Sequence, residues 1–165
     1  MRVLGIDPGT VVTGWGIVTF NDRQFYHIAN GCIRTKSQSP LPERLGSIFA
    51  ALSHIIQEHR PNQASVEEVF ISRNVQSALK LGHARGVAIA AINQAGLPVH
   101  EYSALQVKKS VVGYGRAEKG QVQEMVRLLL SLPKIAPEDA SDALAAAMCH
   151  INHASPMTLA KEHRQ

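Results

Sequence analysis

The chain has 165 residues, 45% of them hydrophobic, and its 17 basic and 13 acidic side chains give a formal net charge of +4. This length suits one ordinary domain with a hydrophobic core, which excludes a disordered or fibrous protein. No apolar run approaches the ~18–20 residues that span a bilayer, and the first residues do not form a signal peptide, so we expect no membrane association. The two cysteines, Cys32 and Cys149, are too few for a disulfide framework and favour a cytoplasmic location.

Three strands are predicted at the start of the chain, where apolar runs alternate with turn residues, over residues 2–7, 13–20 and 25–35. Apolar residues at helical spacing then predict a helix that begins near Pro42 and stops before Pro61. Another apolar run predicts a fourth strand over residues 64–70.

The second half of the chain is predicted to be mainly helical. The expected elements are a helix over 74–95 closed by Gly96, a strand over 97–102, a helix from the capping pair Ser103 and Gln106 to about Val112, and helices over 118–132 and 137–152. The order β-β-β-α-β-α-β-α-α-α predicts an α/β fold with a mixed sheet and helices on both faces. We expect one domain over residues 1–153 and a flexible polar tail over 154–165.

Positive charge is concentrated in the middle of the chain. Residues 72–120 carry seven basic and two acidic side chains, a local net charge of +5, whereas the rest carries ten basic and eleven acidic ones. Such a segment is typical of proteins that bind a nucleic-acid backbone, although a solvated helix surface has the same composition. The loop over 113–119 lacks the ending of a phosphate loop, and we interpret it as a mobile basic loop that touches DNA.

Three of the four aspartates are candidates for a metal site. Asp7 ends the first predicted strand just before Pro8 and Gly9, a sequence that equally suits an ordinary turn. Asp139 and Asp142 are three residues apart in a helix, which places their Cβ atoms roughly 5–6 Å apart on one face. The helix dipole accounts for an acid at the helix start, but Asp142 borders an alanine-rich packed flank, where a carboxylate needs a partner such as a metal ion.

Two adjacent acids, Glu67 and Glu68, lie inside a strand pattern and are expected to point to opposite faces. The sequence alone leaves open which of them faces a site. One of them would complete a cluster of four carboxylates with the three aspartates. Hard oxygen ligands suit Mg²⁺ or Mn²⁺ rather than zinc, and two such ions ~3.5–4 Å apart are a common device for phosphodiester cleavage.

Three further features have ordinary structural interpretations. His150 and His153 lack a full set of zinc ligands, and we interpret them as surface residues. Cys149 has no orienting third group and is not expected to be a nucleophile. Small residues recur at every fourth position of one predicted helix, at Ala78, Gly82, Gly86 and Ala90. This stripe permits close approach either to the chain's own sheet or to a second subunit.

Taken together, the motifs from residue 1 to about residue 153 closely resemble those of the RuvC family of bacterial Holliday junction resolvases. The first motif alone is weak, because actin-like sugar kinases and chaperone ATPases share a similar strand and turn, but the full set is specific. The segments that carry the resemblance are LGIDPGT (4–10), TG (13–14), VEEVF (66–70), SALKLG (77–82), Ala84-Arg85-Gly86, VK (107–108), VVG (111–113), AEK (117–119) and DASDAL (139–144).

The resemblance implies an RNase H-like fold, with a five-stranded mixed sheet flanked by helices, in a homodimer that cuts four-way DNA junctions in recombination and repair. It implies symmetric hydrolysis on two opposing strands, leaving 5′-phosphate and 3′-hydroxyl nicks. The family's metal-binding catalytic acids map onto Asp7, Glu67, Asp139 and Asp142, with Glu68 facing away. We expect about two Mg²⁺ ions per subunit, replaceable by Mn²⁺, and the RuvA–RuvB branch-migration helicase as a partner.

The resemblance also assigns DNA contacts and a dimer interface. Lys108 and Lys119 map onto the family's basic DNA contacts, and Phe70 maps onto an aromatic that stacks on an unpaired base, unless it is an ordinary core residue. The other DNA contacts expected in the basic segment are Arg73, Asn74, Lys80, Lys109 and Arg116. The dimer interface is expected on the small-residue stripe of Ala78, Gly82, Gly86 and Ala90.

Two other functions stay open from the sequence. A non-catalytic module that binds junctions would share the basic segment. An actin-like or sugar-kinase-like ATPase would share the first motif, but such proteins close two lobes around a nucleotide, and one domain of this length lacks the second lobe.

Overall fold

The computed structural model of the chain describes residues 1–68 and 75–154. Within these residues the elements follow the order predicted from the sequence. The strands are β1 (Arg2–Asp7), β2 (Val12–Asn21), β3 (Gln24–Arg34), β4 (Gln63–Glu67) and β5 (Val99–Tyr102). The helices are α1 (Leu41–His59), α2 (Val75–Gln94), α3 (Ala104–Val112), α4 (Lys119–Leu129) and α5 (Glu138–Ala154).

The strands form one five-stranded sheet in the order β3-β2-β1-β4-β5. The first three strands pair as antiparallel neighbours, whereas β4 lies parallel to β1, and β5 lies parallel to β4. Parallel neighbours need crossover connections, and α1 and α2 lie in these two connections. The predicted α/β architecture with a mixed sheet is confirmed.

The central strand β1 is buried on both faces because helices cover each side of the sheet. Leu4 and Ile6 point to the side of α1 and α2, where they pack in one cluster with Ile92. Val3 packs in the second cluster, on the side of α3, α4 and α5. Since side chains alternate along a strand, Asp7 faces the same side as Val3.

The start of α3 confirms a prediction made from local sequence. The Ser103 hydroxyl accepts a hydrogen bond from the Gln106 N–H at 3.3 Å, and the Gln106 side chain accepts one from the Ser103 N–H at 2.9 Å. This reciprocal pair is the predicted capping box. Strand β4 ends at Glu67, which pairs with Tyr102, the last residue of its partner β5.

Two further predictions concern the ends of elements. Helix α4 ends at Leu129 rather than at residue 132, and Ser131 takes a left-handed conformation with a φ of 51°. The predicted end of the fourth strand, beyond residue 68, and the predicted tail beyond Ala154 lie outside the described residues. Among the residues that are described, no helix has the length and apolar composition needed to cross a membrane.

Helix α5 is buried on almost every side because it lies between the sheet and the helices α3 and α4. From Ala140 to Ile151, every residue except Asp142 is buried. His150 is therefore 2% exposed, and its interpretation as a surface residue is wrong. Its ring nitrogens contact the Tyr102 hydroxyl at 2.8 Å and Oε1 of Gln63 at 2.5 Å, so this buried polar group keeps its hydrogen bonds.

Candidate active site

Asp7 and Glu67 lie at the same edge of the sheet. Each is the last residue of its strand, and Ile6 pairs with Val66 in the parallel ladder between β1 and β4. Val66 packs toward α1 and α2, so Glu67 points to the opposite side, toward α5. This is also the side that Asp7 faces, and it answers the question of orientation that the sequence left open for Glu67.

Helix α5 approaches the sheet closely because glycines lie beneath it. A Cβ atom at Gly5 would overlap the carbonyl oxygen of Ala143, and one at Gly14 would overlap that of Asp139. Gly14 pairs with Asp7 in the ladder between β1 and β2, so the start of α5 lies over the end of β1. Three fully buried alanines complete the contact: Ala140, Ala143 and Ala147. The predicted packed flank is confirmed, and it brings the first turns of α5 to the edge that carries Asp7.

The carboxyl group of Asp7 is in an environment that disfavours its charge. Burial is the largest cause of the rise in its pKa, and the carboxylates of Asp142, Glu67 and Asp139 add to it, giving a pKa of about 7. The positive charge of Lys119 acts in the opposite direction. A nearby cation would favour the ionised form of such a group.

Burial also raises the pKa values of Glu67 and Asp142. At Glu67 the charge of Asp142 adds to the rise, while Lys119 and Lys108 oppose it. At Asp142 the hydrogen bond and the charge of Lys119 oppose the effect of burial. These carboxyl groups resist ionising together, which is the electrostatic pattern of a site that needs a counter-charge.

Lys119 supplies part of that counter-charge. Its ammonium nitrogen lies 2.5 Å from Oε1 of Glu138 and 2.9 Å from Oδ2 of Asp142. Burial alone would lower the pKa of Lys119, but its hydrogen bonds to these two carboxylates outweigh burial and raise the pKa above its usual value. The residue that the sequence assigns to DNA contact is thus also an ion-pair partner inside the acid cluster.

Two cavities open beside the acids. The outer cavity, of about 280 Å³, is lined by Asp7, Pro8, Glu67, Glu68, Leu81, Lys119 and Asp142. The inner cavity, of about 160 Å³, is lined by Glu67, Ala104, Val107, Lys108, Lys119, Val122, Asp142 and Ala145. Glu68 directly follows the last residue of β4, is exposed and borders the outer cavity, so its expected orientation away from the site stays a prediction.

The donors at this site fit a hard divalent cation in their chemistry. All four candidate ligands present carboxylate oxygens, the ligand type that Mg²⁺ and Mn²⁺ prefer. Within residues 1–68 and 75–154, however, no three acid, histidine or cysteine side chains are placed so that they could hold one metal ion. Asp142 is paired with Lys119, so a metal ion would compete with this lysine for the carboxylate.

The expected DNA contacts fall into three groups. Lys108 and Lys119 line the inner cavity beside the acids. Three others have exposed side chains: Lys80, Lys109 and Arg116. The remaining three lie outside the described residues, so their roles stay predictions: Phe70, Arg73 and Asn74.

The basic loop between α3 and α4 has more contacts than the sequence indicates. The Tyr114 hydroxyl donates to Oε1 of Gln121 at 3.1 Å, and Ala117 is 2% exposed. A Cβ atom at Gly115 would overlap the side chain of Leu105. These contacts join the loop to both flanking helices, while its expected mobility and its contact with DNA stay predictions.

The small-residue stripe of α2 faces away from the core of its own chain. Ala78 is half-buried, whereas Gly82, Gly86 and Ala90 are exposed, and a Cβ atom at either glycine would meet nothing within 4 Å. The opposite face of α2 packs on the core through Ala84, Ala88, Ala91 and Ile92. The alternative in which the stripe packs against the chain's own sheet is therefore wrong.

Sequence reasoning missed two residues that contact the acid cluster. Glu138 pairs with Lys119, and its position one helical turn before Asp142 was a signal that could have revealed it. Arg85 of α2 pairs with Glu101 at 2.5 Å and donates from Nε to the carbonyl oxygen of Glu67 at 3.4 Å. Arg85 stands in the Ala84-Arg85-Gly86 segment of the family resemblance, but its partners lie on other elements, so the local sequence does not reveal these contacts.

Comparison with known proteins shows the family of the chain. The family model described as Crossover junction endodeoxyribonuclease RuvC matches residues 3–150. A relative of that name from Geobacter sp. (strain M21) is 55% identical over 161 residues, which cover 98% of each chain. Another from Magnetococcus marinus is 57% identical over 152 residues, which cover 92% of this chain and 84% of the relative.

Solved structures agree with this match. The RuvC of T. thermophilus in complex with Holliday junction substrate is 36% identical, has a TM-score of 0.90, and aligns over 96% of this chain and 97% of that one. A yeast mitochondrial Holliday junction resolvase is 11% identical, with a TM-score of 0.61 over 89% of this chain and 77% of that one, and shares the fold alone. The RNase H-like fold is thereby confirmed. The chain belongs to the RuvC family of crossover junction endodeoxyribonucleases.

Proposed function

We propose that the chain is a structure-selective endonuclease that resolves four-way Holliday junctions in DNA recombination and repair. Its relatives are named crossover junction endodeoxyribonucleases, and a RuvC of T. thermophilus was solved with Holliday junction substrate. The observation that carries the proposal is the meeting of acids from β1, β4 and α5 at one sheet edge, in a chain of this family. A module that only binds junctions has no need of carboxyl groups that raise one another's pKa values.

Nucleases of the RuvC family are metal-dependent. We infer that Asp7, Glu67, Asp139 and Asp142 hold Mg²⁺, about two ions per subunit, and that Mn²⁺ can substitute. When bound, such ions would activate water and stabilise the leaving oxygen of the phosphodiester. Departure of the 3′ oxygen would leave the 5′-phosphate and 3′-hydroxyl ends of this proposal. The chain's own contribution is to gather the acids on rigid elements, at two strand ends and one helix start.

Two lysines are placed to act on the phosphate. Lys108 and Lys119 line the same inner cavity as Glu67 and Asp142. Positive groups at this place favour binding of the scissile phosphate and stabilise the negative charge that develops during hydrolysis. In this proposal the acids bind the cation, and the lysines bind the phosphate of the substrate.

A homodimer accounts for symmetric cleavage in this proposal. The outer face of α2 carries the stripe of small residues, and next to it Val75 and Leu79 are 69% and 59% exposed. Burial of these apolar side chains against a second copy would stabilise a dimer, and the small residues would permit close approach of two helices. A two-fold dimer presents two identical sites to the junction, so one incision in each of two opposing strands follows from symmetry.

The basic segment supplies the remaining DNA contacts of the proposal. The exposed side chains of Lys80, Lys109 and Arg116 are available to backbone phosphates. Phe70, Arg73 and Asn74 are proposed as further DNA contacts. Binding that depends on phosphate contacts weakens steeply as salt is added. We place the enzyme in the cytoplasm, where the RuvA–RuvB branch-migration helicase is its proposed partner.

Incubation of the purified protein with a labelled four-way junction and Mg²⁺ tests this function. We expect paired nicks at symmetric positions that a DNA ligase can reseal, because the ends are 5′-phosphate and 3′-hydroxyl. A linear duplex of the same sequence is the control for selectivity and should stay intact. Junction binding with no incision in Mg²⁺ or Mn²⁺ would overturn the enzyme assignment in favour of the non-catalytic module.

A further inference from the structure

Glu138 shares the ammonium group of Lys119 with Asp142 but lines neither cavity. The two acids are one helical turn apart on the same face of α5, so a single ammonium group reaches both. Their surroundings differ: the side chain of Glu138 is 63% exposed, whereas that of Asp142 is 19% exposed. One carboxylate therefore belongs to the cavities and the other stands outside them, with Lys119 between the two.

We propose that Glu138 is a positioning residue that keeps the ammonium group of Lys119 beside the site when a divalent ion takes Asp142. This inference rests on the proposed function, because it concerns how that nuclease loads its metal. A divalent ion and the ammonium group compete for the carboxylate of Asp142, and they repel each other. With Glu138 in place, the lysine loses one of two partners, stays near the cavity and remains available to the DNA phosphate.

The backbone that carries Lys119 is held in place, so the exchange needs only side-chain movement. Lys119 is the first residue of α4, and the preceding Glu118 N–H donates to Oε1 of Gln121 at 2.8 Å. Tyr114 binds the same side-chain oxygen, and Ala117 is buried. The lysine side chain thus pivots about a fixed Cα between two acceptors on α5.

An ordinary role for Glu138 is to complement the dipole at the start of α5, where an acid is favourable in any helix. Glu43 provides the matched control, because it is the acid in the first turn of α1. A substitution of Glu43 by glutamine removes the same charge from the first turn of another helix, away from Lys119. The two substitutions should therefore have different effects on metal binding.

The test measures Mn²⁺ binding to the full chain without DNA, by calorimetry or electron paramagnetic resonance. Glu138→Gln should weaken binding about two- to fivefold, the scale of one partly exposed ion pair, because Lys119 then competes harder for Asp142. Lys119→Gln should tighten binding by a similar factor, and Glu43→Gln should leave it unchanged. In the Lys119→Gln background, Glu138→Gln should have lost its effect.

The double variant, Glu138→Gln with Lys119→Gln, distinguishes a positioning role of Glu138 from a direct effect of its charge on the metal ion. An equal effect of Glu138→Gln on Mn²⁺ affinity with and without Lys119 would overturn the proposal. Glu138 would then attract the metal ion directly through its own negative charge. As a second measurement, Glu138→Gln should raise the Mg²⁺ concentration for half-maximal incision by the same two- to fivefold factor. A wild-type chain that does not cleave junctions refutes the proposed function, whereas a cleaving wild type with unchanged Mn²⁺ affinity in Glu138→Gln refutes this inference alone.

Discussion

The two ends of α5 carry polar groups in the same buried layer and differ in how these groups are satisfied. At the first turns, Asp142 joins Asp7 in the acid cluster, and at the last turns His150 lies beside Tyr102. Burial shifts the pKa at both ends, raising that of Asp7 to about 7 and lowering that of His150 to about 4. In each case the neutral form is favoured, because a low-dielectric environment penalises charge of either sign.

The hydrogen-bond partners explain why one end is a candidate site and the other is structural. His150 has a partner at each ring nitrogen, and its ring stacks on His100 with the centroids 4.1 Å apart. Asp7, Glu67 and Asp142 line open cavities, and Asp142 is paired with the partly exposed side chain of Lys119. A satisfied buried network stabilises one conformation, whereas an acid cluster with an exchangeable partner has capacity for a ligand.

The largest expected effect is on incision of the junction, and it distinguishes the first turns of α5 from its last turns. Asp7→Asn and Asp142→Asn should each lower incision at least about a thousandfold, because each is a proposed ligand of the cation, and such a ligand contributes several kcal/mol to transition-state stabilisation. Both variants should still bind a four-way junction in a gel-shift assay. His150→Gln, the matched change at the other end of α5, should retain incision.

Loss of junction binding by the two asparagine variants in metal-free buffer would contradict this distinction. The acids would then be structural, like the histidine network, and the comparison between the two ends would fail.

Substitutions of two adjacent lysines test which basic side chains near the acid cluster take part in incision. Lys108 lines the inner cavity, whereas Lys109 is exposed. Lys108→Ala should lower the single-turnover incision rate about ten- to a hundredfold, as expected for a group that stabilises developing negative charge. Lys109→Ala should instead weaken junction binding and reduce the slope of log affinity against log salt by about one. Unchanged incision in both Lys108→Ala and Lys119→Ala would contradict the assignment of these lysines.

The smallest effect is a pair of opposing pH dependences in the stability of the metal-free protein. The pKa of His150 is about 4 when folded and 6.5 as an ordinary value, so its contribution to stability is lost as the pH falls from 6.5 toward 4. Asp7 has the opposite sign: its folded pKa of about 7 exceeds the ordinary 3.8, so its contribution is lost as the pH rises toward 7.

Melting temperatures between pH 4 and 7, measured with a metal chelator present, test these signs. Asp7→Asn should lose stability more steeply than the wild type as the pH falls. His150→Gln should lose it more steeply as the pH rises. Parallel curves for the two variants would show that burial does not act in opposite directions at the two ends.

Local sequence predicts those parts of the fold whose partners are close in the chain. The capping box of Ser103 and Gln106 spans three residues and was predicted correctly. The position of Asp7 at a strand end, and the packed alanine flank of α5, also follow from local patterns. The family motifs supplied the choice of Glu67, and the structure places that side chain on the side of α5.

Contacts between distant elements were beyond such reasoning. His150 was misjudged because its partners Tyr102 and Gln63 lie 48 and 87 residues away. The ion pairs of Lys119 depend on how α4 meets α5, a packing that neither helix encodes alone. The orientation of Glu68 stays a prediction, because this residue directly follows the last residue of β4.

The glycines beneath α5 determine how closely the acids of α5 approach those of the sheet, although glycine itself has no functional group. An alanine at Gly14 would force α5 away from the end of β1, and Asp139 would move with it. Anyone transplanting these four acids onto another scaffold would therefore have to transplant Gly5 and Gly14 as well. In such a design, the absence of two side chains would determine whether four others can share a cation.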